Sequence, residues 1–318
     1  ACHLGANQHA EGRMKKPPFF PNSPHLFVEY ADEEKKKNIG FGRTYRTINS
    51  ICARCHTGIR PEFGAGMSTW NSVEFTDAFR GACFQEATCV HCHEPHKPIG
   101  KTWARTPAQD DAMCIQCHKR FVDDRLLVAH THHKVGSSGS RCMDCHMPRL
   151  NEGLQDIVRT HLIYNPTNAD MIESNEPNAC NLCHTDKPID WTVKYLGEWY
   201  GAEFNEKSID FSYKPREQPV AVGWLKHHRE AVRLGGADCL VRSGAKWALE
   251  DLVGALDDDF MLNRQFARRG IEKLVGRSMD STGYRFYMTR PERKGSLKRI
   301  RGEWLKACLL YTSDAADE

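Results

Sequence analysis

Apolar residues recur at helical spacing only in the second half of this chain. Ala245, Ala248, Leu249, Leu252, Val253 and Leu256 follow one another at steps that keep one face apolar. After Asp257-Asp258-Asp259 the pattern resumes with Phe266, Ala267, Ile271, Leu274 and Val275. Such a stripe reads as an amphipathic helix pair. It predicts a helical hairpin from about residue 238 to 276, with the three acids as a solvated turn and helix cap. Upstream, Trp191, Val193, Leu196 and Trp199 predict a shorter helix, capped by Asp190 and stopped by Gly201. The charged, proline-containing stretch around Asn205 to Pro219 reads as a linker, and Arg290 to Arg301 as an exposed basic helix or tail.

Before residue 185 neither the helical nor the strand period is sustained, and Pro and Gly interrupt the chain repeatedly. Sparse regular structure is expected there, as short helices joined by long loops. No apolar run approaches the roughly 18 residues that cross a bilayer. A soluble chain is expected, with membrane anchoring left open. Its 318 residues suggest about two domains. With 44 basic and 41 acidic residues, net charge +3, there is no basic excess of the kind that holds nucleic acid.

The 14 Cys and 16 His change this picture. Cys-x-x-Cys-His occurs five times, at Cys52/Cys55/His56, Cys89/Cys92/His93, Cys114/Cys117/His118, Cys142/Cys145/His146 and Cys180/Cys183/His184. Random placement of these residues would give about 0.03 copies, so the spacing carries the signal. Two Cys three positions apart lie one helical turn apart, which lets both sulfurs form thioethers to one haem; the following His then lies under the iron as its proximal ligand. A zinc site built from Cys-x-x-Cys pairs has no need of that His. A redox-active or structural disulfide has no need of it either. The opening Ala1-Cys2-His3 matches the end of a further copy, whose first Cys would precede Ala1. A sixth haem on Cys2 with His3 is therefore expected, together with a missing N-terminal piece that would have carried any export signal. The final residues, CLLYTSDAADE, resemble translated sequencing-adapter DNA, so 308 to 318 are set aside as an artefact. Of the remaining Cys, Cys83 and Cys239 are expected to be buried structural thiols.

The ligand opposite each proximal His decides whether an iron is closed or open to substrate. Ten other His are available: His9, His25, His91, His96, His130, His132, His133, His161, His227 and His228. That surplus would allow every haem two His ligands, which closes the irons to substrate and suits outer-sphere electron exchange. His96 lies too near its own proximal His93 to cross to the far face, so it would serve a neighbouring haem. One of His130, His132 and His133 is expected to bind iron, with His133 favoured. His161 and His9, in loops between motifs, complete the set of distal candidates. His91, inside a motif, and His227 and His228, on a helix, fit surface or core roles. Motif starts fall 37, 25, 28 and 38 residues apart. Segments that short cannot bury a haem alone, so neighbouring haems must pack on one another and act as the core.

The stretches HTHHKVGSSGSRCMDCHMP (His130 to Pro148) and RTHLIYNPTNADMIESNEPNACNLCHTDK (Arg159 to Lys187), with CVHCHEPH, resemble the multihaem cytochrome superfamily that includes cytochrome c nitrite reductase and hydroxylamine oxidoreductase. The opening Cys2-His3-Leu4-Gly5-Ala6-Asn7-Gln8-His9 matches that group's CHGPG-type segment in the spacing of its two His, though not in its Gly-Pro-Gly. The resemblance covers roughly residues 1 to 200. It implies His9, His133 and His161 as distal ligands, a location outside the cytoplasm where haem is attached to Cys, and redox proteins as partners. Nitrite reductases of the group typically carry a catalytic haem on Cys-x-x-Cys-Lys, and no such motif occurs here. The hairpin at 238 to 276 resembles a HEAT-type repeat, which implies a packing or protein-docking role.

The expectation is therefore a mainly α protein. A multihaem cytochrome c domain of short helices and long loops would occupy 1–204, with a helical HEAT-like region at 205–307. The expected function is periplasmic electron transfer through haem c. The rival is an oxidoreductase acting on a small nitrogen or sulfur compound at one open haem.

Overall fold

The computed structural model describes residues 6–13, 45–97 and 104–306. Cys2, His3, His25, Cys308 and the suspected adapter segment lie outside them. The chain is mainly helical and divides into two compact units: Ala1–Pro61, Gly66–Met147 and Thr160–Tyr164 form the first, and Glu62–Ala65, Pro148–Arg159 and Asn165–Glu318 the second.

The first unit holds α1 (Ala6–Ala10), α2 (Tyr45–Ala53), α3 (Glu74–Arg80), α4 (Cys89–Cys92), α5 (Pro107–Ile115), α6 (Asp124–Thr131) and α7 (Cys142–His146). None exceeds nine residues. They begin where local chemistry starts a helix. Thr106 and Gln109 form a reciprocal capping box ahead of Pro107, and the Asp123 carboxylate accepts from the Arg125 backbone N–H. Among the described residues, the buried apolar side chains of this unit are Ile48, Met67, Val73, Leu162 and Tyr164. Ile59, Phe79, Val122 and Leu126 are exposed, Ile59 at 93%. Among the described residues, apolar burial in this unit is sparse beside that of the second unit.

In the second unit, β1 (Arg149–Asn151) pairs antiparallel with β2 (Val158–Arg159), Arg149 opposite Arg159 and Asn151 opposite Val158. Then come α8 (Ala169–Glu173), α9 (Ile189–Tyr200), α10 (Glu206–Ser212), α11 (Val220–Trp224), α12 (Glu230–Arg242), α13 (Leu249–Gly254), α14 (Met261–Val275) and α15 (Arg290–Arg299). α12 packs on α11 and α14 around Trp224, Leu234, Leu240, Ala267 and Ile271, all sealed from solvent. No described helix is long and apolar enough to cross a membrane.

Several local expectations are revised. Gly201 does stop α9, with a left-handed φ of 65°, but Pro188 rather than Asp190 is the N-terminal boundary residue and Asp190 lies in the first turn. The linker at 205–219 contains α10, because the Asn205 side chain accepts from the Lys207 and Ser208 N–H groups and Ile209 is fully buried. Of the three acids Asp259 is solvated, while Asp258 is sequestered and all three have Arg partners. Asp258 takes a two-point contact from Arg233 at 2.7 and 3.0 Å, Asp257 pairs with Arg293 at 2.6 Å, and Asp259 pairs with Arg290 at 3.0 Å. The basic helix α15 is likewise anchored, its Arg293 only 3% exposed. The structure divides the chain before residue 204: the fifth motif, Cys180 to His184, belongs with the C-terminal helices.

Candidate functional site

Each of the five complete motifs folds into the same single turn. The His N–H returns to the carbonyl of the first Cys at 3.0 Å for His56, 2.9 Å for His93, 3.0 Å for His118 and 2.9 Å for His184. His146 closes α7, which starts at Cys142. This turn carries both Cys on one side and brings the His back beneath them. Cys55, Cys117 and Cys183 are exposed, and Cys52, Cys89, Cys92, Cys114, Cys142, Cys145 and Cys180 are half-buried. Every motif sulfur therefore remains at or near the surface of the polypeptide.

Two proximal His are fixed through their Nδ1 atoms. His56 Nδ1 lies 2.6 Å from Glu74 Oε2, and His146 Nδ1 lies 2.9 Å from the Tyr164 carbonyl. A donor bond from Nδ1 leaves Nε2 with the free lone pair, the usual outer-sphere arrangement around a metal-bound imidazole. Burial opposes ionisation of Glu74. Hydrogen bonds from its own backbone N–H, His56 and the Ser72 N–H outweigh that, holding the carboxyl below its ordinary range. Glu74 thus stays a carboxylate beneath His56. The sequence offered no way to pick it from other acids.

Distal candidates meet proximal His at two places. The His93 and His161 rings lie 6.1 Å apart between centroids, inclined by 20°, and the His130 and His146 rings lie 6.1 Å apart and parallel to within 2°. With a metal–nitrogen bond of about 2 Å and roughly 1.2 Å from that nitrogen to the ring centre, two imidazoles on opposite sides of one ion stand about 6 Å apart. The observed centroid separations are of that order, with the ring planes stacked. Burial, then the charges of His146, Arg120 and His132, hold His130 below the ordinary imidazole range, so it is neutral and able to ligate at neutral pH. His9 and His96 form a third pair at 6.2 Å, both of them distal candidates.

His133, favoured from the sequence, is held through Nδ1 in the same way, which leaves the ring's lone pair on Nε2. Its Nδ1 lies 2.5 Å from the Thr131 carbonyl, and its ring covers Gly139 so closely that a Cβ there would fall 2.1 Å from Cδ2. His132, with φ of 55°, ends α6 and separates His130 on the helix from His133 beyond it. His227 is engaged at both ring nitrogens: Nδ1 accepts from the Arg229 N–H, and the ring also bonds the Ser174 backbone. It is half-buried, and burial pushes its pKa down to about 4. It lies between α11 and α12 rather than on a helix as expected. Cys239, fully buried, donates to the Gly236 carbonyl at 3.2 Å, as expected. In the second unit the His184 ring lies 4.6 Å from the Trp191 ring.

Among the described residues no three His, Cys, Asp or Glu side chains converge to hold a bare metal ion. A porphyrin iron asks less of the protein, because four of its ligands belong to the macrocycle and two remain for side chains. Paired His beside single-turn Cys-x-x-Cys-His segments fit that demand. No family model matches this chain, and no solved structure matches it.

Proposed function

We propose that this chain is a multihaem c-type cytochrome that passes electrons between redox partner proteins outside the cytoplasm. What carries the reading is the fivefold Cys-x-x-Cys-His motif, each copy folded as one turn, with the His161 ring beside that of His93 and the His130 ring beside that of His146. A second His on the far face closes an iron to substrate and favours electron exchange over bond chemistry. The bound haems would supply reversible one-electron iron couples. The ten Cys of the five complete motifs would hold them by thioethers, with His56, His93, His118, His146 and His184 as proximal ligands. Cys2 and His3 belong to a sixth site. Glu74 and the Tyr164 carbonyl orient His56 and His146 and raise their basicity. His9, His96, His133 and His161 remain the distal set read from the sequence, and His130 joins it.

Intact mass and optical spectroscopy of protein matured with haem test this reading together. The expected result is at least five covalent haems with a low-spin spectrum in both oxidation states. A large high-spin fraction, or binding of nitrite, hydroxylamine or carbon monoxide at one haem, would move the assignment to the open-haem oxidoreductase. A chain without covalent haem would overturn both.

A further inference from the structure

Two buried polar side chains of the first unit do the same task at the same register. Asn49 lies three residues before Cys52 on α2, is 2% exposed, and accepts the Cys89 backbone N–H at 2.8 Å while donating to the Ala87 carbonyl at 3.2 Å. Asp111 lies three residues before Cys114 on α5, is 9% exposed, and accepts the Cys142 backbone N–H at 3.1 Å while pairing with Arg141 at 2.8 Å. The N–H accepted in each case opens the helix of the next motif, α4 at Cys89 and α7 at Cys142. Such N–H groups have no partner inside their own helix and take one from outside. Neither α4 nor α7 has a side-chain cap from its own N-cap residue.

The thiols repeat the pairing. The Cys52 and Cys89 side chains are neighbours, as are those of Cys114 and Cys142. In both pairs the first Cys of one motif touches the first Cys of the next. Sulfurs that each carry a haem edge and touch one another bring those two edges into contact.

We infer that the first four motifs are built as two haem pairs, 52–56 with 89–93 and 114–118 with 142–146, and that Asn49 and Asp111 are the positioning residues that set each pair. This rests on the proposed haem attachment and deepens it. Each side chain locks the helix turn of the second motif to the helix of the first, so the two porphyrin edges are held at fixed separation. Electron exchange within a pair is then fast.

The test uses haem-loaded protein. Paramagnetic resonance of the oxidised state reads contact between haems as spin coupling, and intact mass reads haem content independently. Asn49→Leu is expected to keep all haems and lose the coupled signal of one pair. Asp111→Leu is expected to lose the other. Asn49→Asp, which keeps an acceptor oxygen as Asp111 does, is expected to retain coupling. Full coupling in Asn49→Leu, or loss of the same signal in both Leu variants, would overturn the pairing while leaving haem attachment standing. Should a Leu variant fail to mature, the structure of the unaltered haem-loaded protein decides. The nearest neighbour of the Cys52 haem must be the Cys89 haem, and that of the Cys114 haem the Cys142 haem; any other order overturns the inference. Absence of covalent haem by mass would instead remove the function it rests on.

Discussion

In the second unit Trp224, Leu234 and Leu240 are sealed from solvent, whereas in the first Ile59, Phe79 and Val122 stand largely exposed. Both units are folded from the same kind of chain and both carry Cys-x-x-Cys-His. They differ in what can exclude water. The second places apolar side chains at helical spacing and closes them on one another, so its stability is a property of the polypeptide. The first keeps its motif Cys exposed or half-buried, and few of its described apolar side chains are buried. On the proposed function, covalently held porphyrin would supply apolar core to this unit.

The largest break in the comparison should come from withholding haem. Chain produced without haem attachment is expected to lose hydrogen-exchange protection throughout the first unit and keep it in α12 and α14. Equal protection in both would mean the first unit has a sufficient polypeptide core. Next, Leu234→Ala should lower unfolding stability by about 2–5 kcal/mol, because a sealed site cannot refill the space. Phe79→Ala in haem-free chain should change it by less than about 0.5 kcal/mol. Denaturant midpoints of the two variants check this directly.

A subtler difference lies in charge. Glu152 is fully buried in the second unit, both carboxyl oxygens lack a hydrogen-bond partner, and burial with nearby Glu230 pushes its pKa up to about 8. The folded state then keeps a proton between about pH 4.5 and 8 that the unfolded state has released. Stability should therefore fall as pH rises through that window and level off above it, by an amount on the order of a few kcal/mol. Glu152→Gln should flatten the slope in unfolding curves taken from pH 5 to 9; an unchanged slope would assign it to other groups.

Two smaller effects sharpen the picture of the first unit. Gly139→Ala should displace His133, since the added Cβ would meet its ring at 2.1 Å, and should alter the spin state or potential of one haem. Unaltered spectra would separate His133 from iron ligation. Glu74→Gln should raise the potential of the haem on His56, because a neutral partner lends less basicity to the imidazole. A tenfold loss in ferric stabilisation corresponds to about 59 mV. A redox titration showing no shift would make the Glu74 contact purely structural.

The motifs, the surplus of His, the stop at Gly201 and the apolar face of α14 were legible because each depends on residues within a turn or two of one another. His130 and His133 illustrate the limit. They stand three positions apart, and only the left-handed backbone at His132 and the placement of His146 decide that His130 faces the proximal ligand. The acids at 257–259 read as solvated because their Arg partners lie 25 to 36 residues away in sequence.

By itself, then, the sequence determined where the five Cys-x-x-Cys-His segments lie and which His stand outside them, since the proposed thioether spacing and proximal ligation are chemistry of five consecutive positions. Only the tertiary structure decided which His faces which, that the fifth motif sits with the C-terminal helices, and that Asn49 and Asp111 bind successive motifs together. Those are long-range contacts, set by how helices pack and which buried polar groups must find partners, and residue spacing does not encode them.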